Sequence, residues 1–178
     1  MHSNKITAGQ AFPDLSVNKL DGGKLDFVNR KEGLDWLLVI VYRGKHCPLC
    51  TKYLTEINEL LPKFNALGVD VVAMSGDPKE KALIQIDAIK PNFDIGYGLT
   101  IEQMKTLGLY ISNPRSAAET DQPFAEPGFF MINASNQVQL VDISNAPFLR
   151  PDLNSVINGI GFIRNPENNY PIRGTYAD

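Results

Sequence analysis

The hydrophobic residues of this chain alternate between continuous runs and helical spacing, a pattern that predicts strands and helices in turn. The run from Trp36 to Tyr42 is continuous, β-branched and aromatic, which indicates a central strand covered by helices on both faces. "VDVVAMS" predicts a second buried strand. Between the two, a helix is predicted to begin at Pro48 and to end at Gly68. Its apolar residues at helical spacing are Tyr53, Leu54, Ile57, Leu60, Leu61, Phe64 and Leu67.

Two hairpins are predicted from alternating apolar and polar residues on either side of a turn. The first surrounds Asp21-Gly22-Gly23, where glycine supplies the positive φ that a tight turn needs. The second joins "GFFMIN" to "QVQLVDIS" through Ala134-Ser135. The stretch from Ser112 to Pro127 is rich in Pro, Ser, Ala and acidic residues, and we expect a long surface loop there.

Three more helices are predicted from their start signals and apolar spacing. The sequence Asp77-Pro78-Lys79-Glu80 resembles a capped helix start, and Thr100 with Gln103 repeats the capping pattern before a short helix that ends at Gly108. "PDLNSVINGIGFI" has apolar residues on one helical face and predicts the last helix.

This order of elements predicts the fold class. Strands that alternate with helices and end in a hairpin are typical of an α/β fold with a central mixed sheet, parallel in its centre and flanked by helices. We expect residues 1–178 to form one domain with an N-terminal β-hairpin and an irregular tail over residues 164–178.

Charge and composition exclude some classes of partner. The formal net charge of -3 argues against nucleic acid and against an anionic membrane surface, because both need clustered Lys and Arg. The sequence has no apolar run of membrane-spanning length, and "MHSNKITAGQAFPDL" lacks the pattern of a secretory signal, so we expect a cytoplasmic protein.

The two cysteines of the chain stand together in "YRGKHCPLC". A thiol at the start of a helix faces unpaired backbone N–H groups and the positive end of the helix dipole, so Cys47 should ionise more easily than Cys50, one turn inside. Arg43, Lys45 and His46 add positive charge immediately before it. Cys47 is therefore the candidate nucleophile, and Cys50 is the candidate resolving thiol that closes a disulfide with it.

Three other interpretations of the cysteine pair stay open. The thiols can be packed structural residues, since free cysteine is common in protein cores. They can be half of a zinc or copper site completed by His46, His2 or a carboxylate, in a binding or carrier protein without turnover. The domain can also serve only protein contacts, although two thiols at a helix start would then have no explanation.

Several motifs together resemble a known family. A hairpin, a buried strand, "CPLC" at a helix start, "LPKFNALGVDVVAMSGDP" and "EPGFFMINASNQVQLV" resemble, in this order, the AhpC/TSA peroxiredoxin-like branch of the thioredoxin fold. The similarity runs from about Phe12 to about Ile163. It implies a thiol redox enzyme without a bound cofactor, oxidised by a peroxide or a disulfide and regenerated by a thioredoxin- or glutathione-type reductant. Homodimers are common among such proteins.

The resemblance also assigns roles to individual residues. Cys47 matches the attacking thiol, Cys50 matches the second thiol of a thioredoxin-type site, and Pro127 matches the proline that thioredoxins hold in the cis form. We also include Arg43 among the candidate catalytic residues. Tyr42, Leu49 and Phe124 are adjacent apolar residues proposed to line an approach to Cys47.

Three departures from the family pattern concern peroxide reduction. Ile40 and Gly44 replace the proline and the peroxide-orienting threonine that precede the attacking cysteine. The family arginine near the later strand is also missing, so Arg115 or Arg150 would have to reach the site from elsewhere, and we expect both to be ordinary surface or loop residues. The Cys-Pro-Leu-Cys spacing and Pro127 favour disulfide exchange instead.

Overall fold

A six-stranded mixed sheet forms the centre of the computed structural model, which describes residues 5–177. The strand order is β1-β4-β3-β2-β7-β8, and a separate two-stranded ladder joins β5 to β6. The strands are β1 (Asn18–Lys19), β2 (Trp36–Val41), β3 (Val69–Met74), β4 (Asp94–Tyr97), β5 (Ile111–Ser112), β6 (Phe124–Ala125), β7 (Gly128–Ile132) and β8 (Val138–Ile143). The helices are α1 (Pro48–Ala66), α2 (Lys79–Ile89), α3 (Ile101–Thr106) and α4 (Leu153–Arg164), and a 3-10 turn follows at Pro166–Asn168.

Strand β2 lies in the middle of the sheet, where it pairs in parallel with β3 and antiparallel with β7. Every residue of β2 and of β3 is buried. This burial explains the continuous apolar runs in the sequence, because neither face of these strands meets water. Helix α1 begins a few residues after β2 ends, which places its first turn at the carboxyl edge of the central strand.

Each face of the sheet has its own hydrophobic cluster. Leu38 and Ile40 of β2 face α1 and α4, together with the end of α2. Leu37 and Val39 point the other way, towards α3 and the N-terminal segment that includes Phe12. The predicted fold class, a central mixed sheet flanked by helices, is confirmed.

Two local predictions are confirmed, the capping box of α3 and the N-terminal hairpin turn. Thr100 and Gln103 form the predicted capping box at the start of α3, with both reciprocal hydrogen bonds present. The N-terminal hairpin turn forms, with Lys19 N donating to Gly23 O, but its strands pair only through the bridge between Asn18 and Lys24. The residues of β1 pair with β4 instead, which ties the hairpin to the main sheet.

Two local predictions are wrong. Asp77 does not cap α2: the N-cap residue is Pro78, whose side chain has no hydrogen-bonding group, and the Asp77 carboxylate accepts a hydrogen bond from Lys45 N. The surface loop also ends early. Phe124 and Ala125 are buried and pair with β5, so the irregular stretch between the two strands covers residues 113–123.

None of the helices within residues 5–177 has the length and hydropathy needed to cross a membrane.

Candidate redox site

The two cysteines form a disulfide at the first turn of α1, with a Cα–Cα distance of 5.3 Å. Cys47 is the N-cap residue of the helix, and its Sγ accepts a hydrogen bond from Cys50 N at 3.2 Å. Pro48 occupies the first helical position, where its missing N–H leaves no donor unpaired. The sulfur predicted to be the nucleophile therefore lies where backbone N–H groups and the helix dipole stabilise a negative charge.

Both cysteines are nearly inaccessible to solvent: Cys47 is 2% exposed and Cys50 is 0% exposed. The segment 147–151 lies against this turn of α1. Tyr53 Oη donates a hydrogen bond to Pro151 O at 2.9 Å, and Arg150 Nη2 donates one to Cys50 Sγ at 2.9 Å. The segment thus makes contact both with the second cysteine and with the next turn of the helix.

Arg150 contacts the disulfide, a placement that the sequence does not predict. The sequence predicts an ordinary surface or loop arginine, but the guanidinium donates a hydrogen bond to Cys50 Sγ and lies 5.0 Å from the centre of the Tyr53 ring. Burial lowers the pKa of Arg150 to about 10, so the group is still protonated at neutral pH. Arg115, the other arginine considered, has an 87% exposed side chain and pairs with Glu119.

Arg43 makes its close polar contacts with a carboxylate. Its Nη2 donates to Glu126 Oε1 at 3.1 Å, its Nε lies 3.1 Å from Glu126 Oε2, and its guanidinium packs on the Phe124 ring. Ser112 Oγ donates a further hydrogen bond to Glu126 Oε1 at 2.7 Å. Arg43 therefore joins the segment after β2 to the segment before β7, and its catalytic role stays a prediction.

We expect Arg43→Met to lower the free energy of unfolding by about 3 kcal/mol, because it leaves the Glu126 carboxylate buried without its cation. The double variant Arg43→Met/Glu126→Gln should recover part of that loss. Urea denaturation measures both. Arg115→Met, which removes an arginine whose own side chain is 87% exposed, is the matched control and should cost less than about 1 kcal/mol. Equal losses in Arg43→Met and Arg115→Met would contradict the structural importance of the buried pair.

Gly44 is held in a conformation that leaves no room for a side chain. Its φ is +137°, and a Cβ atom built on it would lie 2.6 Å from Asp77 Oδ2. The same oxygen accepts a hydrogen bond from Lys45 N at 2.7 Å, and Gln85 Nε2 donates to Gly44 O at 3.1 Å. Burial raises the pKa of Asp77, and the hydrogen bond from Lys45 N opposes that effect. The threonine of the family pattern is thus replaced at a position where a side chain would strain the backbone and overlap the Asp77 carboxylate.

His46 contacts an aromatic ring rather than a sulfur. Its imidazole packs on Phe124 with 4.5 Å between ring centres, and burial lowers its pKa, so the ring is neutral at pH 7. Within residues 5–177 no three His, Cys, Asp or Glu side chains cluster closely enough to hold a metal ion, and His2 lies outside the described residues. The interpretation of Cys47, Cys50 and His46 as a metal site therefore has no support in this geometry.

The three apolar residues proposed to line an approach to Cys47 do not lie together on the surface. Leu49 is exposed beside the disulfide, whereas Tyr42 and Phe124 are buried. Phe124 contacts both Arg43 and His46, so it serves as a packing platform for the residues that precede Cys47.

The peptide bond before Pro127 differs from that of the thioredoxin proline. The peptide bonds of the described residues are all trans, so Pro127 does not have the cis form of the thioredoxin proline that it matches. Glu126 N donates to Tyr110 O and Ser144 N donates to Pro127 O, which hold this stretch between β6 and β7 on both sides. Pro127 still lies near the site, because it lines a small cavity together with Tyr53 and Arg150.

Comparisons with known proteins agree with a redox site. The sequence model described as the AhpC/TSA family matches residues 8–141. The thiol-disulfide oxidoreductase ResA of Bacillus cereus is 27% identical over 112 residues, which are 62% of this chain and 61% of that protein. ResA of Bacillus anthracis is 28% identical over 116 residues, with the same coverage. The chain therefore spans about three fifths of the length of the curated relatives it matches.

Solved structures share the fold. A cysteine-to-serine mutant of peroxiredoxin 6 from Arenicola marina superposes with a TM-score of 0.76 at 21% identity, covering 89% of this chain and 73% of that one. Peroxidoxin BcpB from Mycobacterium tuberculosis gives a TM-score of 0.71 at 15% identity, covering 89% of this chain and 99% of that one. At these identities the likeness concerns the fold, and it confirms the expected thioredoxin-like architecture.

Proposed function

We propose, from the premise that this chain belongs to the AhpC/TSA family, that it is a thiol-dependent oxidoreductase which cycles Cys47 and Cys50 between dithiol and disulfide. The observation that carries the proposal is the disulfide at the N-terminus of α1, with Cys47 Sγ bound to a helix N–H group. Such an environment favours the thiolate form of Cys47, which is the reactive form of a cysteine.

The cycle has two steps with Cys47 and Cys50 in different roles. Cys47 thiolate attacks one atom of an O–O or S–S bond, and that bond breaks to release hydroxide or a thiolate. Cys50 thiolate then attacks Cys47 Sγ, forms the intramolecular disulfide and displaces the second hydroxide or thiolate. A thiol reductant restores the dithiol by two reverse exchanges.

Disulfide exchange is the reaction that this site supports better than peroxide reduction. Gly44 has no hydroxyl to orient a peroxide, and a side chain that would bring one would strain the backbone and overlap Asp77. The ResA relatives are named as thiol-disulfide oxidoreductases. We therefore place a disulfide as the oxidised substrate, and we keep a peroxide as the alternative that the family membership favours.

The decisive experiment compares two oxidants on the reduced protein. Rapid mixing with hydrogen peroxide or with oxidised glutathione, followed by acid quench and mass spectrometry, gives the rate of formation of the Cys47–Cys50 disulfide. We expect the rate of exchange with oxidised glutathione to exceed the rate shown by a free thiol, when the two are compared at equal thiolate concentration. The peroxide reaction should stay at the rate of a free thiolate.

Two results would change this conclusion. A peroxide reaction far faster than that of a free thiolate would make the protein a peroxidase, with a peroxide-orienting group other than a residue 44 side chain. Rates no greater than those of a free thiol with both oxidants would contradict catalysis altogether. The same experiment with the disulfide of a thioredoxin-type protein, in place of oxidised glutathione, tests which class of disulfide partner reacts.

The surroundings of the reaction are proposals of the same kind. We propose a thioredoxin- or glutathione-type reductant, a homodimeric assembly and a cytoplasmic location, with the sequence and the family resemblance as support. Sedimentation velocity of the reduced and oxidised protein measures the assembly. Turnover with each reductant identifies the electron donor.

A further inference from the structure

Arg150 is a half-buried cation whose contacts do not include a counter-ion. Its Nη2 donates to Cys50 Sγ, and its Nη1 donates to Pro147 O at 2.6 Å. Among residues 5–177, the carboxylates that form ion pairs do so with other cations, and Glu126 is taken by Arg43. A buried charge without a partner is costly, because water no longer solvates it and a neutral disulfide sulfur is a weak acceptor.

Reduction of the disulfide changes this balance at one atom. The Cys50 sulfur becomes a thiol that can ionise, and its thiolate would lie 2.9 Å from the guanidinium that already contacts it. An opposite charge at that distance favours ionisation and offsets the burial of Cys50, which by itself disfavours the thiolate. Reduction of the disulfide therefore produces an anion, the Cys50 thiolate, that can serve as the missing counter-ion of Arg150.

We propose that Arg150 is the counter-ion of the Cys50 thiolate in the reduced protein, and that it makes Cys50 the resolving nucleophile and the leaving group. This inference rests on the proposed function for its role in turnover, but the ion pair itself does not depend on turnover. Arg150 touches a reacting atom and so belongs to the catalytic residues.

The pair acts in both directions of the exchange. During oxidation, Cys50 thiolate attacks Cys47 Sγ in a sulfenic acid or mixed disulfide, the new S–S bond forms, and hydroxide or a thiolate leaves from Cys47. During reduction, the thiolate of the reductant attacks Cys47 Sγ, the bond to Cys50 breaks, and the electron pair stays on Cys50 Sγ beside Arg150. A lower pKa raises the fraction of Cys50 that is thiolate and can attack during oxidation, and it makes Cys50 a faster leaving group during reduction, so both steps gain.

The charged and titratable groups around Arg150 come from several elements. Tyr53 of α1 lies under the guanidinium, and Glu126 and Arg43 act on it from the segments beside β7 and β2. Asp142 of β8 lines a small cavity with Arg150. None of these groups contacts Cys50 Sγ as Arg150 does, so substitution of Arg150 should have the largest effect on that sulfur.

The test uses Cys47→Ser, in which Cys50 is the single thiol of the chain. The absorbance of its thiolate near 240 nm and its rate of alkylation by iodoacetamide are measured against pH. Arg150→Gln keeps a hydrogen-bond donor without the charge, and Arg150→Lys keeps the charge. We expect Arg150→Gln to raise the Cys50 pKa by about one unit or more, and Arg150→Lys to restore part of the shift.

Controls make the result specific. Arg115→Gln removes an exposed arginine and should leave the Cys50 titration unchanged. Should Arg150→Gln fail to fold by circular dichroism, Arg150→Met and Arg150→Lys are titrated in the same way, and the difference between them is the measurement. In the chain with both cysteines, Arg150→Gln should slow resolution of a Cys47 mixed disulfide about tenfold at pH 7.

The outcomes separate this inference from the proposed function. A Cys50 pKa that is the same with arginine, lysine or an uncharged residue at position 150 overturns the ion pair, whatever the protein catalyses. A pKa that depends on the charge, in a protein without thiol exchange activity, would support the ion pair and reject the proposed function.

Discussion

Replacement of Cys47 by serine is expected to abolish turnover with peroxide and with disulfide substrates alike. A serine hydroxyl is not ionised at neutral pH, and the N-terminus of α1 does not bring its pKa within reach, so the attacking anion is lost. The steady-state rate should fall to that of the buffer without protein. Circular dichroism of Cys47→Ser confirms that the loss is chemical rather than structural.

Replacement of Cys50 by serine is the matched control, because it removes the second thiol and keeps the first. We expect one attack per chain, after which Cys47 stays as a sulfenic acid or a mixed disulfide that mass spectrometry identifies. Full steady-state activity of Cys50→Ser would contradict the resolving role of Cys50. Residual activity in Cys47→Ser would show that Cys50 can also attack.

Gly44→Ala is expected to lower the free energy of unfolding by about 3 kcal/mol or more, since two costs add at this position. The backbone has φ of +137°, which L-residues rarely adopt, and the new Cβ would overlap the Asp77 carboxylate. Any relaxation would also disturb the hydrogen bond from Lys45 N that fixes the residues before Cys47. Guanidinium denaturation of the oxidised protein measures the loss.

Gly98 separates the two costs. Its φ is +70° and a Cβ there meets nothing within 4 Å, so Gly98→Ala should cost only about 1 kcal/mol from backbone strain. In the double variant Gly44→Ala/Asp77→Ala the overlap is gone. Its loss of unfolding free energy should therefore be smaller, by about 1 kcal/mol, than the sum of the losses of the two single variants. Strict additivity would show that the overlap with Asp77 is not the source of the effect.

The sequence predicted the elements whose signals are local. The continuous run at β2 and the helical spacing after Pro48 reflect burial on two faces and on one face, and both survive in the structure. The Thr100–Gln103 capping box is confirmed because its two hydrogen bonds join residues three apart. The position of Cys47 at a helix N-terminus follows from the same local pattern, and the redox class was predicted from it together with the family resemblance.

The rest of the site depends on contacts that no local pattern encodes. Arg150 reaches Cys50 across 100 positions of the chain, through the return of the segment after β8 to α1. Asp77 carries a capping signature but binds Lys45 N, because the loop between β2 and α1 passes beside the loop after β3. Pro127 is trans, and the backbone hydrogen bonds beside it, from Glu126 N to Tyr110 O and from Ser144 N to Pro127 O, join residues far apart in the chain.

The burial of both cysteines makes the chemistry depend on an opening equilibrium. Bulky reactants meet Cys47 Sγ only in those molecules whose neighbouring segments have moved aside, so their observed rate is the opened fraction multiplied by the intrinsic exchange rate. Hydrogen peroxide is far smaller and needs a smaller displacement. Fast exchange with oxidised glutathione therefore requires frequent opening around the disulfide, so slow exchange can reflect a rarely opened site as well as a weak nucleophile.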